Sequence, residues 1–251
     1  MISTQFAHLS LLLNPDKTKL SKRQGDVAVE DYRAQGYLPE ALVNFVALLG
    51  WNPGTEQEIF SLPELVQQFD FAKIHKAGAI FDRAKLDWMN GEYLKRMNPK
   101  TFSDLAMPIL EKKFGALPGN AHLILELEKQ RISRLNEVGD GVSFLFTDEL
   151  SYDPAFLVWK KSNLEAAIKN LTWLTEKLAG YPADHWSAEE LNKNIVQWIG
   201  ENGLTNGEVL WPMRVALTGA EKSPTPFEVA AILGPTKTLA RIQAAIKLLQ
   251  K

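Results

Sequence analysis

Lys17-Thr18-Lys19-Leu20-Ser21-Lys22-Arg23 sets four positive charges within seven residues. The stretch follows an apolar run, Phe6 to Leu13, and the turn-forming triplet Asn14-Pro15-Asp16. A short strand thus feeds a polar loop studded with flexible cations. Such a loop suits a polyphosphate, because ammonium groups on long stems are movable point charges for phosphate oxygens that gain negative charge. Taken alone, Lys19-Leu20-Ser21-Lys22-Arg23 reads as a solvated charge run, and its surroundings decide otherwise.

Working outward, Gly36-Tyr37-Leu38-Pro39-Glu40 starts a helix with proline in its first turn. Leu42, Phe45, Val46 and Leu49 recur at helical spacing, and Gly50 ends the helix. Ser61-Leu62-Pro63-Glu64 is a capping box. Asp82 caps a helix carrying Leu86 and Met89, which Asn90-Gly91 is expected to stop. Residues 1–97 therefore read as one mostly helical unit hung from a short strand. Asn98-Pro99 opens a second stretch, 98–150, with one long helix predicted from Asn120 to Val138. Beyond Ser151-Tyr152-Asp153-Pro154, over 151–251, capping boxes are predicted at Ser162 with Glu165, Ser187 with Glu190, and Thr225 with Glu228. Apolar stripes follow them: Ile168, Leu171, Leu174 and Leu178; Leu191, Ile195, Trp198 and Ile199; Leu239, Ile242, Ile246 and Leu249. Strand patterns are almost absent after residue 20, so the fold class is mostly α.

The 251 residues, 45% of them apolar, are enough for a real core. Absence of cysteine excludes disulfides and thiolate metal sites. The four histidines are scattered without ligand spacing, and no metal site is expected. No apolar run approaches membrane-spanning length, and Met1-Ile2-Ser3-Thr4 lacks the basic and apolar segments of a secretion leader. A cytoplasmic location, away from membranes, is the expectation. Dedicated nucleic-acid binders are usually basic, whereas the net charge here is −2, so any RNA contact must rest on a local basic patch. Neither G-x-G-x-x-G nor G-x-x-x-x-G-K-[ST] occurs, so no second nucleotide fold is concealed in the chain.

Two arginines stand out. At about 100° per residue, Arg131 falls among Ile124, Leu127, Leu135 and Val138 on one helix face. A guanidinium rarely sits there unpaired. It either bridges to Glu128 or an acid of another helix, or it is a cationic fork aimed at a polar ligand such as a base edge. Arg214 lies in Leu210–Gly219, ahead of Ser223-Pro224-Thr225-Pro226-Phe227-Glu228. That region is either a buried helix with a proline-stiffened loop, or a surface where unstacked bases lie on apolar and aromatic faces while arginine holds their edges. Trp173, Trp186, Trp198 and Trp211 read as core or inter-helix packing.

The strings N-P-D-x-x-K-L-S-K-R and G-Y-L-P-E-A-L-x-N-F-x-A-L-L-G-W, at their spacing, resemble the class I aminoacyl-tRNA synthetases, in the form of the bacterial glutamate enzymes. Pro212-Met213-Arg214-Val215-Ala216-Leu217-Thr218-Gly219 is similar to that family's C-terminal P-[LM]-R-x-A-L-T-G segment. The resemblance runs from Phe6 to about Ile246 and is strongest over 6–50, 79–96 and 209–234. It implies a stem-contact domain over 1–97, with a strand and loop remnant of the catalytic region, then an all-helical anticodon-binding cage in two parts, 98–150 and 151–251. It implies that Lys19, Leu20, Ser21, Lys22 and Arg23 form the ATP loop, with Lys22 on ATP phosphate. It implies that Arg131 reads the third anticodon base, a cytosine, and that Arg214 meets the first bases. Ser223, Pro224, Pro226 and Phe227 would accommodate splayed nucleotides.

The implied partner is glutamate tRNA, bound by a monomer with no affinity for DNA. The parent reaction would join L-glutamate to tRNA using ATP and magnesium. The family's upstream H-x-G-H element and nucleotide-binding fold are not in this sequence, which opens a few residues before the loop. The expectation is therefore a C-terminal part that binds tRNA without aminoacylating it and holds no cofactor tightly. The alternatives are a free-standing tRNA-binding or protein-interaction module, and a piece of a non-discriminating or glutaminyl-type synthetase.

Overall fold

The computed structural model describes residues 11–21, 28–75 and 77–251. They divide into two compact units. One runs to Leu117 and resumes over Glu128–Gly139; the other comprises Pro118–Leu127 and Asp140–Lys251. Helix dominates both, as the sequence predicts. Among the described residues, strand is confined to β1 (Leu12–Leu13) and β2 (Ala79–Ile80), which pair in parallel with Leu12 opposite Ala79 and Leu13 opposite Ile80.

In the first unit, α1 (Val29–Ala34), α2 (Pro39–Gly50), α3 (Leu62–Gln68), α4 (Arg83–Arg96) and α5 (Pro99–Phe114) follow in order. α2 begins with Pro39 in its first turn and ends at Gly50, where the pattern puts both. Ser61 and Glu64 form the expected capping box of α3, and Asp82 caps α4 by accepting from Lys85 N–H. α2 packs on α4 around Tyr32, Tyr37, Phe45, Leu86 and Met89, and Trp51, Phe60 and Leu65 form a second cluster.

Asn90-Gly91 does not stop α4, which continues to Arg96. Asn90 is buried, and its side chain is satisfied by tertiary partners, so it does not compete for its own helix backbone. Its Oδ1 accepts the Leu38 N–H at 2.8 Å, at the start of α2, and its Nδ2 donates to the Ser133 carbonyl. Buried Asn44 plays a similar part, its Oδ1 accepting from Phe60 N–H and the Tyr93 hydroxyl at 2.8 Å each.

The long helix predicted from Asn120 to Val138 is not formed. α6 spans Ala121–Lys129, and a single 3₁₀ turn, Leu135–Glu137, comes later. Backbone groups past Lys129 find partners outside a helical ladder. The N–H groups of Ser133 and Arg134 donate to Glu137 Oε2 at 2.8 and 3.1 Å, and Leu135 N–H donates to the Gly36 carbonyl at 3.0 Å. Gly36 adopts φ +86°, and a Cβ there would lie 2.6 Å from the Asn136 nitrogen. Only glycine allows both that conformation and that approach.

The second unit is built on α7 (Leu164–Ala179), α8 (Ala188–Glu201), α9 (Asn206–Thr218) and α10 (Pro226–Leu249), with α10 packed against the other three. Leu171, Leu174, Leu178, Leu191, Ile195, Ile199 and Ile242 of the predicted stripes are buried. Thr225 and Glu228 form the expected capping box of α10, whereas at α8 Ser187 accepts the Glu190 N–H, one half of the predicted box. α7 is capped one residue later than predicted, by Asn163 rather than Ser162. Asn163 Oδ1 accepts the Ala166 N–H at 2.9 Å. Thr205 and Glu208 add a capping box to α9. Indole donors of Trp186 and Trp211 reach the carbonyls of Ala230 and Phe156 at 2.7 and 2.8 Å.

Two measurements test this account. Asn90→Ala leaves an amide and a carbonyl without partners and is expected to cost about 1–3 kcal/mol in urea unfolding. Burial pushes the Tyr93 phenol up to about 12. Its neutral form therefore stabilises the fold fully below the ordinary tyrosine value of about 10, and that contribution is lost as pH rises toward 12. Tyr93→Phe is expected to blunt the loss of stability between those limits, read from unfolding midpoints across alkaline pH.

Candidate functional site

The cationic loop starts as a tight turn. Asn14 N–H donates to the Thr18 carbonyl and Lys17 N–H to the Asn14 carbonyl, both at 2.8 Å. Lys17 takes the left-handed conformation at φ +66°. Asp16 accepts from the Thr18 hydroxyl at 2.6 Å and the Thr18 N–H at 2.9 Å, and these bonds lower its carboxyl below the usual range. Lys19 pairs back with Leu13, and Leu20 N–H donates to the Leu12 carbonyl. Lys17 and Lys19 are exposed, while Leu20 and Ser21 are half-buried. Lys22 and Arg23 lie outside the described residues, and with them the catalytic role assigned to Lys22.

Arg131 does not lie on a buried helix face. Because α6 ends at Lys129, the helical register that would carry Arg131 inward stops before reaching it. Its N–H donates to the Glu128 carbonyl at 2.8 Å in a closing turn, and its side chain is exposed. Ile124, Leu127 and Val138 are buried without it. Glu128 is buried, and its Oε2 accepts the Gly139 N–H at 2.7 Å.

The guanidinium that does turn inward here is Arg134, which sequence reasoning passed over. It is half-buried, donates to Glu137 from Nε at 2.8 Å and Nη2 at 2.6 Å, and lies over the Tyr37 ring. Burial works to lower its pKa, and the bond and charge of Glu137 outweigh that and raise it. The signal was present in the sequence, since Glu137 stands three residues after Arg134, the spacing of a neighbouring pair on a turn.

In the second unit, Arg214 and the loop after α9 are brought together. Arg214 Nη1 donates to the carbonyls of Ser223 and Pro224 at 2.7 Å each and to Ser223 Oγ at 3.1 Å. Gly219 closes α9 in the left-handed conformation at φ +71°. Thr225 and Glu228 form the capping box that opens α10. The loop is thus tied at both ends and in its middle. Pro224 and Pro226 are buried, and Phe227 is 8% exposed, so their faces are covered by protein. The exposed positions are Glu221, Lys222 and Thr225.

Arg241 is a further residue the sequence reading missed. It is 7% exposed and donates to three carbonyls: Leu217 from Nη1 at 2.6 Å, then Phe144 and Thr147 from Nη2 at 2.8 and 2.6 Å. Burial lowers its pKa, opposed by Asp148 and Tyr152. A cation on the last carbonyls of α9 also complements that helix end. Its position beside Ile242, on the apolar stripe of α10, was the available clue.

The model of the anticodon binding domain matches residues 61–246, and that of the class I tRNA synthetase catalytic domain (E and Q) matches residues 1–88. The chain is 38% identical over 244 residues to a glutamate–tRNA ligase of Clostridium botulinum strain Hall, covering 96% of this chain and 50% of that protein. It is 40% identical over 252 residues to the glutamate–tRNA ligase of Clostridium novyi, covering 98% and 51%. It thus spans about half the length of these relatives. Its fold matches the crystal structure of a glutamate tRNA ligase from Elizabethkingia meningosepticum in complex with its amino acid, with a TM-score of 0.82 at 32% identity, over 98% of this chain and 52% of that one. With the anticodon binding domain model spanning most of its length, the chain belongs to the anticodon binding domain family, in the form found in glutamate–tRNA ligases.

Proposed function

We propose that this chain is the tRNA-binding part of a glutamate–tRNA ligase and recognises the anticodon arm of glutamate tRNA. The observation that carries the reading is the anticodon binding domain match across residues 61–246. In this reading residues 1–97 contact the inner corner of the tRNA, and 98–150 and 151–251 form the two parts of the anticodon cage. The parent activity is the ATP-dependent joining of L-glutamate to tRNA, in the cytoplasm, by a monomer.

Exposed Arg131 supplies a guanidinium fork for the third anticodon base, a cytosine, at the point where α6 gives way to a turn. Arg214 acts by shaping the loop at Ser223 and Pro224, since its Nη1 is on loop oxygens. Pro224, Pro226 and Phe227 stiffen that loop from beneath, and the anticodon meets its backbone and polar edge.

ATP is a poor fit to these residues alone. Lys17 and Lys19 offer charge for a phosphate, yet a single cationic loop recognises neither base nor ribose. In the parent enzyme ATP would be a substrate, its adenylyl group activating the glutamate carboxylate as a mixed anhydride while pyrophosphate leaves.

The test is a binding titration with glutamate tRNA and its anticodon variants at fixed, stated salt. Replacing the third anticodon cytosine by guanosine is expected to weaken binding. Arg131→Gln is expected to remove about 1–3 kcal/mol of that preference, the scale of one lost bidentate base contact. Equal binding of both tRNAs by the unaltered chain contradicts the role given to Arg131. Arg214→Ala is expected to weaken binding of all third-base variants alike, because it loosens the loop rather than removing a base contact there. Incubation of the chain with ATP, glutamate and tRNA is expected to yield no glutamyl-tRNA.

A further inference from the structure

We propose that the second unit carries a small-molecule site in the cavity between α9, α10 and the segment that follows Asp148, and that its ligand is a free amino acid with an apolar side chain. The site is separate from the proposed anticodon contacts.

The cavity follows from the sequence of α10. Lys237, Ala240, Arg241, Ala244 and Leu248 recur at three- and four-residue intervals, so they share one face of the helix. Ala216 of α9 lines the same space, with Leu150 and Tyr152. Ala216, Ala240 and Ala244 are short, and a cavity of about 360 Å³ remains where longer side chains would meet. Pockets for small ligands start at about 300 Å³ and combine apolar walls with a few convergent polar groups. Arg214 and Ala216 stand two residues apart on α9, about 200° around the helix. The cavity therefore lies on the other side of α9 from the Ser223–Pro224 loop that Arg214 holds.

The polar groups are ordered by depth. Arg241 is 7% exposed and, among the described residues, meets three carbonyls and no carboxylate within ion-pair distance. A guanidinium has five N–H donors, so further donors remain for a ligand. A buried charge held only by carbonyl dipoles gains from an added anion. The Tyr152 hydroxyl makes no hydrogen bond with the described residues, and its phenol lies within the field of Arg241. At the mouth, Asp148, Glu149 and Lys237 are exposed, with Lys237 Nζ 3.4 Å from Asp148 Oδ1.

That order selects the ligand. A carboxylate reaches Arg241 and the Tyr152 hydroxyl at the floor. An ammonium group meets Asp148 and Glu149 at the mouth. An apolar side chain fills the space between Leu150, Ala216 and Leu248. A simple anion would have the two acids against it, and a simple amine the buried guanidinium. The lining sets two acids against two bases, which suits a zwitterion.

The experiment titrates the full chain with L-phenylalanine, without RNA, by calorimetry and by the shift in melting temperature. Saturable binding with a raised melting temperature is expected. Phenylpropanoate, which lacks the ammonium group, and phenethylamine, which lacks the carboxylate, are expected to bind about tenfold more weakly, as loss of one charged hydrogen bond does. Ala244→Phe puts a ring into the cavity from an exposed position, so the fold is kept, and is expected to abolish binding. Asp148→Asn combined with Glu149→Gln is expected to bring phenylalanine down to the affinity of phenylpropanoate. No binding of phenylalanine by the folded chain overturns the proposal, as does binding that survives Ala244→Phe or is equal for phenylpropanoate. Stronger binding of L-glutamate than of phenylalanine overturns it too, since a second carboxylate would meet the acids at the mouth. With no RNA present, each of these outcomes leaves the anticodon reading where it stands.

Discussion

Backbone groups at the ends of helices have no intrahelical partners, and burying them without partners costs more than most single contacts return. In this chain polar side chains far off in sequence meet that demand. Asn90 serves the start of α2 and the Ser133 carbonyl at once. Arg241 gathers three carbonyls from the end of α9 and from the segment before Asp148. Arg214 holds two more in the loop that leads into α10. These long links, rather than regular secondary structure, give the irregular segments one shape. The segments most tied down in this way include those with the candidate contacts.

That division explains what could be read beforehand. Local signals were legible: the proline start and glycine end of α2, the Ser61 and Thr225 boxes, the apolar stripes of α7 and α8. Each depends on residues within one or two turns. The differences fall where partners outside the helical ladder override a local preference. Asn90-Gly91 is a turn signal, and α4 runs through it because Asn90 has partners elsewhere. The apolar spacing from Ile124 to Val138 is helical on paper, but Glu137 and the Gly36 carbonyl claim the N–H groups a helix would need.

The same lesson holds for the candidate site. Arg131 was singled out for standing among apolar residues, and the structure exposes it instead. Its proposed role rests on the family and on its exposure. Arg134 has the half-buried, acid-paired character that was one of the two alternatives for Arg131. At Phe227 and the neighbouring prolines, aromatic and cyclic residues suggested a platform for bases, and they turn out to be internal packing beneath a polar rim. Composition could not separate those two uses of the same residue types.

Gly36 ties the two themes together. A methyl group at this position would push against the backbone of Leu135 and Asn136, in the same Glu128–Gly139 segment that carries Arg131. On the proposed reading, a substitution there would shift the reach of a guanidinium nearly a hundred residues further along the chain. A genetic screen for loss of fidelity in decoding would then recover alleles at a glycine that touches no nucleic acid, in cells that still make abundant folded protein.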